Sequence, residues 1–179
     1  QLLHSLWWSS SSPTKKKNAQ SPDPVIRFDE KTTAMHWQLH KDGTTHYRKY
    51  KAMGRQMEVA VALGSDPATM YAATAPLPEG MDEFVLSGFL RKSPVELVKG
   101  ETVDLEVPAN AEIVLEGVVP PGVREQEGPF GEFHGYMGGG GPSFVIDVTC
   151  VTHRTDPIYQ AFFGGMPPSE SSVVSGTGR

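Results

Sequence analysis

The 179-residue sequence predicts an α+β, β-rich domain with a few short helices. Three observations point there. Glycine, at 19 residues, and proline, at 15, are too abundant for a helical bundle and suit short strands joined by turns. Short apolar runs bounded by turn signals recur along the chain. Clear helix signals are confined to two segments.

The elements follow in order. Val25-Ile26-Arg27-Phe28 reads as a strand entering a turn at Asp29-Glu30-Lys31, and Thr32 to Leu39 as its hairpin partner. Thr44 to Met53 reads as a helix stopped by Gly54. Met57 to Leu63 is almost continuously apolar and ends at Gly64, which describes a buried strand. Asp66-Pro67 starts a second helix over Ala68 to Ala75, broken by Pro76, Pro78 and Gly80. Val95–Lys99, Val103–Val107, Glu112–Gly117 and Phe144–Val151 read as further strands. No repeat at solenoid periods is present.

Composition excludes several classes. No uninterrupted apolar run approaches the roughly 18–20 residues of a membrane-spanning helix. A single cysteine, Cys150, excludes an internal disulfide framework and a cysteine-rich zinc site, so a cytoplasmic location is expected. A net charge of −5 argues against nucleic acid held by bulk electrostatics. Residues 1–24 differ from the rest: Lys15, Lys16 and Lys17 follow the apolar Leu2–Trp8 stretch instead of preceding it, the reverse of a secretory signal. A disordered or foreign leader is expected there, with a basic targeting or membrane-surface segment as the alternative.

Three segments offer chemistry. In Glu127-Gly128-Pro129-Phe130-Gly131-Glu132, Gly and Pro interrupt regular structure between two carboxylates. A sharp loop there brings both acids to one cavity, where mutual repulsion keeps one protonated near neutral pH; the alternative is a solvated turn with two surface glutamates. Around Met35 to Gly43, His36 and His40 alternate with Trp37 and Gln38. Imidazole and carboxylate ligate divalent cations, and Lys41 can meet a phosphate, but such histidines are also ordinary structural residues. Pro76 to Phe84 holds Glu79, Asp82 and Glu83, which reads either as a charged, solvated loop or as a source of a metal-ligating carboxylate.

In order, the segments FDEKTTAMHWQLHKDG, VAVALGSDPATMYAATAPLPEGMDEF, GFLRKSPVELVKGETVDLEVPANAEIVLEG, EGPFGEFHGYMG and VTHRTDPIYQAFFGGMPPSE resemble the UbiD family of decarboxylases over about residues 25–174. The resemblance implies an FMN-binding split β-barrel and non-oxidative, reversible decarboxylation of aromatic or α,β-unsaturated (acrylic) carboxylic acids. In part of the family this serves ubiquinone biosynthesis. It implies prenylated FMN with a divalent metal, usually Mn2+, and K+, and a homo-oligomer in the full-length family. The modified flavin is the electron sink for the carbon that loses carbon dioxide, and a glutamic acid returns a proton to that carbon.

Residue by residue, the resemblance makes Glu132 the proton donor and Glu127 the acid that organises the hydrogen bonds beside the flavin. His36, Trp37, Gln38, Lys41 and Asp42 match flavin-contacting positions. His40 and Glu83 match metal ligands, and Ala72, Ala73 and Ala75 match the loop whose backbone oxygens hold the monovalent ion. The family's Asn-x-x-x-x-Arg segment, which supplies a third metal ligand and a third catalytic residue, falls on Ala19 and Pro24, with Asn18 one residue away. The chain therefore reads as the central flavin-binding portion of a longer enzyme, with 175–179 as a cut tail. Its activity as a fragment is expected to be impaired. A catalytically inactive flavin- and metal-binding remnant and a frame that does not fold alone are the alternatives.

Overall fold

The structure is a computed structural model that describes residues 2–4, 6–11, 16–19, 25–27, 29–35, 37, 42–73, 75, 77–78, 81–131, 136–163, 166–170 and 173. The elements in chain order are β1 (Leu2–His4), β2 (Leu6–Ser11), β3 (Lys16–Ala19), β4 (Val25–Arg27), β5 (Thr32–Met35), α1 (Asp42–Ala52), β6 (Met57–Leu63), α2 (Pro67–Ala72) and α3 (Glu83–Arg91). They continue with β7 (Leu97–Lys99), β8 (Glu106–Pro108), β9 (Ile113–Val119), β10 (Arg124–Glu127), β11 (Phe130–Gly131), β12 (Met137–Gly138), β13 (Gly141–His153) and β14 (Ala161–Phe163).

Eight strands form one antiparallel sheet in the order β3-β2-β6-β9-β13-β5-β4, with β10 also pairing β13. Three small pairs, β1–β14, β11–β12 and β7–β8, stand beside it. The fold is strand-rich with a few helices, as the sequence predicts. Instead of a closed barrel, the described residues form an open sheet with β3 and β4 as its ends.

The buried reading of β6 explains the layering. Met57, Val59, Val61 and Leu63 alternate with Ala60 and Ala62, so one strand feeds a core on each face. The first core joins the larger β6 residues to Met35, Trp37, Val119, Phe144 and Ile146, and to Tyr47 and Tyr50 of α1. The second joins the β6 alanines to Ala73, Val103, Leu105, Val107, Ala111 and Val114, with Phe84 against it. Small residues on that face leave room for α2, α3 and the chain before β8.

Local chemistry sets the ends. Asp29 Oδ1 accepts from the Lys31 and Thr32 amides, both at 2.7 Å, which makes the turn between β4 and β5. Asp66 caps α2 by accepting from the Ala68 amide at 2.9 Å, and Pro67 follows it. The sequence reading took Pro76 to Phe84 as a loop; Asp82 ends that loop by capping α3 at the Phe84 amide, 2.8 Å. Lys92 closes α3 in the left-handed conformation.

The expected strand Val103–Val107 shortens to Glu106–Pro108, and the reason is Glu116. This residue is 2% exposed and points from β9 into the second core. Its carboxylate accepts from the backbone amides of Glu101 (2.9 Å), Thr102 (2.6 Å) and Val103 (3.3 Å), and from Thr102 Oγ1 (2.9 Å). Amides committed to a side chain cannot join a ladder, so this stretch curls instead of extending.

Burial alone pushes the Glu116 carboxyl up. The four hydrogen bonds outweigh it and hold the group below its ordinary value. A depressed folded-state pKa gives stability that is present above the ordinary carboxylate range and lost as pH falls through the lowered value. Glu116→Gln is therefore expected to cost about 1–3 kcal/mol at pH 7. In urea unfolding the gap between wild type and variant should narrow as the pH is taken from 7 towards 3. A gap independent of pH would show that the charge is not what holds the loop.

Candidate active site

The acid loop starts from β10, which runs antiparallel to β13 with Arg124 opposite Phe144 and Glu127 opposite Gly141. Glu127 is the last residue of that pairing and is 2% exposed. It is thus a buried acid and not the surface glutamate of the alternative reading. Gly128 follows in the left-handed region, and the Gly128–Pro129 peptide is cis. β11 then pairs with β12, Gly131 opposite Met137. Glu132 lies outside the described residues.

On the other flank of β13, Met35 of β5 is paired with the same Phe144. Trp37, two residues on, is 6% exposed, and its ring centroid lies 4.6 Å from that of Phe144. Strands on both sides of β13 therefore deliver Trp37 and Glu127 to its N-terminal end. Asp42 opens α1. His36, Gln38, His40 and Lys41 lie outside the described residues, and with them the expected approach of His40 to Glu83.

The remaining expected residues gather at one end of a helix pair. Arg91 Nε meets Asp66 at 3.4 Å, and Ser87 Oγ meets Thr69 Oγ1 at 2.8 Å. These cross-links join the start of α2 to the end of α3, so the helices are antiparallel. That puts Glu83, the first residue of α3, at the end of the pair where α2 finishes at Ala72, with Ala73 and Ala75 just beyond. Ala72 and Ala73 are buried. Carboxylate and carbonyl oxygens are the donors that hard cations take; here the Ala72 carbonyl accepts from the Ala75 amide at 3.2 Å. Among the described residues, no group of three His, Cys, Asp or Glu side chains converges. Ala73 belongs to the second core and Trp37 to the first, on opposite faces of the sheet.

For a flavin, the groups on offer at this strand end are a buried indole on the Phe144 face and a buried carboxylate on the opposite face. Sequence reasoning missed Arg124. Its guanidinium carbon stands 3.5 Å from the Phe144 ring centroid and 4.8 Å from that of Tyr47. Its place three residues before Glu127, in VREQEGPFGE, was the available signal.

One glycine is required by the packing of the acid loop. Gly140 has φ +72°, and a Cβ there would collide with the Glu127 carbonyl oxygen; at Gly139 a Cβ would meet nothing within 4 Å. Gly140→Ala is expected to destabilise the chain by about 1–3 kcal/mol and to displace β10, whereas Gly139→Ala should stay within about 0.5 kcal/mol. Chemical denaturation of the two variants side by side checks this, and equal losses would contradict it.

Comparison with known proteins identifies the family of this fold. Residues 8–167 match the UbiD family, described as the 3-octaprenyl-4-hydroxybenzoate carboxy-lyase Rift-related domain. An uncharacterized protein of Archaeoglobus fulgidus is 53% identical over 146 residues, 81% of this chain and 30% of that protein. Another, from Aquifex aeolicus, is 48% identical over 148 residues, 82% of this chain and again 30% of its own length. The chain thus spans about 30% of the length of these curated relatives. The UbiD-class enzyme HmfF from Pelotomaculum thermopropionicum, in an evolved dimeric form with prFMN, shares the fold with a TM-score of 0.88 and 35% identity over 99% of this chain and 41% of that one. The apo 3,4-dihydroxybenzoic acid decarboxylase (AroY) of Klebsiella pneumoniae gives a TM-score of 0.81 and 30% identity over 97% of this chain and 37% of that one. With a family match over most of its length and the fold of these enzymes, the chain belongs to the UbiD family.

Proposed function

We propose that this chain is the prenylated-FMN-binding, split-barrel part of a UbiD-type carboxy-lyase that reversibly decarboxylates an aromatic or α,β-unsaturated carboxylic acid. The flavin-binding unit covers residues 25–174, and from the first 24 residues β2 and β3 extend its sheet beyond β6 while β1 pairs β14. The observation that carries the reading is Glu127, a carboxylate buried at the start of the EGPFGE loop in a member of this family. HmfF, of the same fold, is seen in complex with prFMN and with FMN, which supports the cofactor.

Bound prenylated FMN would supply the electron sink that no side chain offers. His36, Trp37, Gln38, Lys41 and Asp42 would contact the flavin. His40 and Glu83 would hold Mn2+, and the backbone oxygens of Ala72, Ala73 and Ala75 would hold K+. Glu132 holds a proton and delivers it to the carbon that has lost the carboxylate. A charge on Glu127 would help keep that proton in place near neutral pH.

A second reading is a flavin- and metal-binding module without turnover. It is favoured by Ala19 and Pro24, which stand at the family's Asn and Arg positions and offer neither a metal ligand nor an anchor for the substrate carboxylate.

Carbon dioxide release, or hydrogen–deuterium exchange at the reacting carbon, separates the two readings on a panel of aromatic and acrylic acids with prenylated FMN, Mn2+ and K+ supplied. Turnover is expected to be slow and to rise at least ~10-fold in Ala19→Asn/Pro24→Arg. Glu132→Gln, an amide of the same shape that cannot deliver a proton, should lower it by about 10²–10⁴. Glu127→Gln should lower turnover less and shift its pH profile, because it removes a charge and not the proton. Flavin binding with no carbon dioxide released by any form would favour the module.

A further inference from the structure

We propose that Arg124 is a positioning residue: its guanidinium, stacked on Phe144 and tied to Tyr47, sets both the strand that ends in Glu127 and the indole of Trp37 for flavin binding. The inference rests on the flavin-binding reading above.

The need for such a residue comes from β10 itself. This strand has four residues, and its described ladder is with β13 alone. Strand side chains alternate between faces, so a slip of one residue would turn Glu127 to the wrong side. Something other than four residues of ladder must fix the register.

Arg124 is placed to do so. It faces its register partner Phe144 across the ladder, with the guanidinium carbon 3.5 Å from the ring centroid. The same group lies 4.8 Å from the centroid of Tyr47, on α1. Its Nη1 donates to Tyr47 Oη at 3.3 Å and to the Val123 carbonyl at 2.9 Å. Tyr47 Oη also accepts from the Gly122 amide at 2.7 Å, which ties down the chain entering β10. A planar cation that stacks and donates in its plane fits this place as neither an aliphatic chain nor an ammonium would.

The second half of the argument runs through Phe144. Its ring meets Trp37 at 4.6 Å with a 46° tilt, and Tyr47 at 4.6 Å edge-on at 78°. The guanidinium therefore rests on the ring that supports Trp37. Arg124 and Glu127 are an odd number of residues apart and point to opposite faces of β10, so Arg124 reaches the acid through the backbone and the indole through Phe144. One side chain thereby couples the indole on its own face to the acid on the opposite face, the two groups that the flavin-binding reading assigns to the cofactor.

The test uses the whole chain labelled with 5-fluorotryptophan, with Trp7→Phe and Trp8→Phe leaving Trp37 as the single reporter. Arg124→Met, Arg124→Lys and Tyr47→Phe are compared by the Trp37 19F resonance and by fluorescence titration with FMN. Ile146→Val, a change in the same core away from the guanidinium, serves as a control for stability alone. Arg124→Met should weaken FMN binding at least tenfold and move the Trp37 resonance. Arg124→Lys, which keeps a cation over the ring, should recover part of the affinity. Tyr47→Phe should move both readouts in the same direction by less, and it stands in for Arg124→Met if that variant does not fold. Ile146→Val should leave FMN affinity within twofold.

Arg124→Met binding FMN like the parent with an unmoved Trp37 resonance would overturn the proposal, as would Ile146→Val weakening FMN equally. A parent chain that binds no FMN would count against the flavin-binding reading. The flavin-free Trp37 resonance then decides the role of Arg124 by itself, an unmoved signal overturning it.

Discussion

Phe144 is the residue through which the architecture is tied. It is paired with Met35 of β5 on one side and with Arg124 of β10 on the other, so three strands meet at one register position. β13 can do this because of its length. Its thirteen residues serve β10 and then β9 along one flank, and β5 along the other. The hand-over from β10 to β9 takes place over Pro120–Val123, where the chain leaves the ladder and Tyr47 receives the Gly122 amide. Moving the Phe144 register by one residue would turn Met35, Phe144 and Arg124 out of their shared face together. The first core, the seating of α1 and the strand end that carries Glu127 all depend on that register.

The second face of the sheet is held by a different kind of bond. Its core is made largely of alanine and valine, which bury little area per side chain. Glu116 compensates by gathering three consecutive amides and a hydroxyl onto one carboxylate. Thr102 Oγ1 extends this network to Thr149 Oγ1 on β13, at 2.7 Å. A buried carboxylate is costly unless every lone pair is used, and the depressed pKa of Glu116 shows that here the hydrogen bonds outweigh the desolvation. The opening on this side, about 220 Å³ and lined in part by Val98, Lys99, Val107 and Glu116, is the space left where the β7–β8 pair stands off from β9.

What could be read from the sequence follows from the range of the forces involved. Strands that bury whole apolar runs, β6 and β9, announce themselves in composition, and so do the Asp29 turn and the Gly54 stop. α1 is found within two residues at its start and one at its end, against the expected Thr44–Met53. α3 escaped because Pro76, Pro78 and three acids suggested a loop, although Asp82 before Phe84 was a capping signal and Arg91 a closing one. The shortened β8 was not legible at all, since its cause is a carboxylate from another strand. The acids of EGPFGE were legible by resemblance. The burial of Glu127 became visible only in three dimensions, where it ends the pairing of β10 with β13.

The α2–α3 pair shows how sparse contacts can specify a site geometry. Ser87 and Thr69 meet hydroxyl to hydroxyl in a fully buried contact, each satisfying the other. Ala72, fully buried one turn from Thr69, keeps that side of the interface small, so the helices approach closely enough for that bond. A larger residue at either hydroxyl position would push the pair apart and leave the remaining hydroxyl buried without its partner, a loss of packing and of a hydrogen bond at once. The half-buried Arg91–Asp66 ion pair then fixes the sliding of one helix along the other, and Asp66 does so while also capping α2. With separation and register both set at the far end, the near end is determined by helix rise alone. Glu83 at the start of α3 and Ala72 at the end of α2 are therefore brought to the same end of the pair by residues roughly a turn or two away.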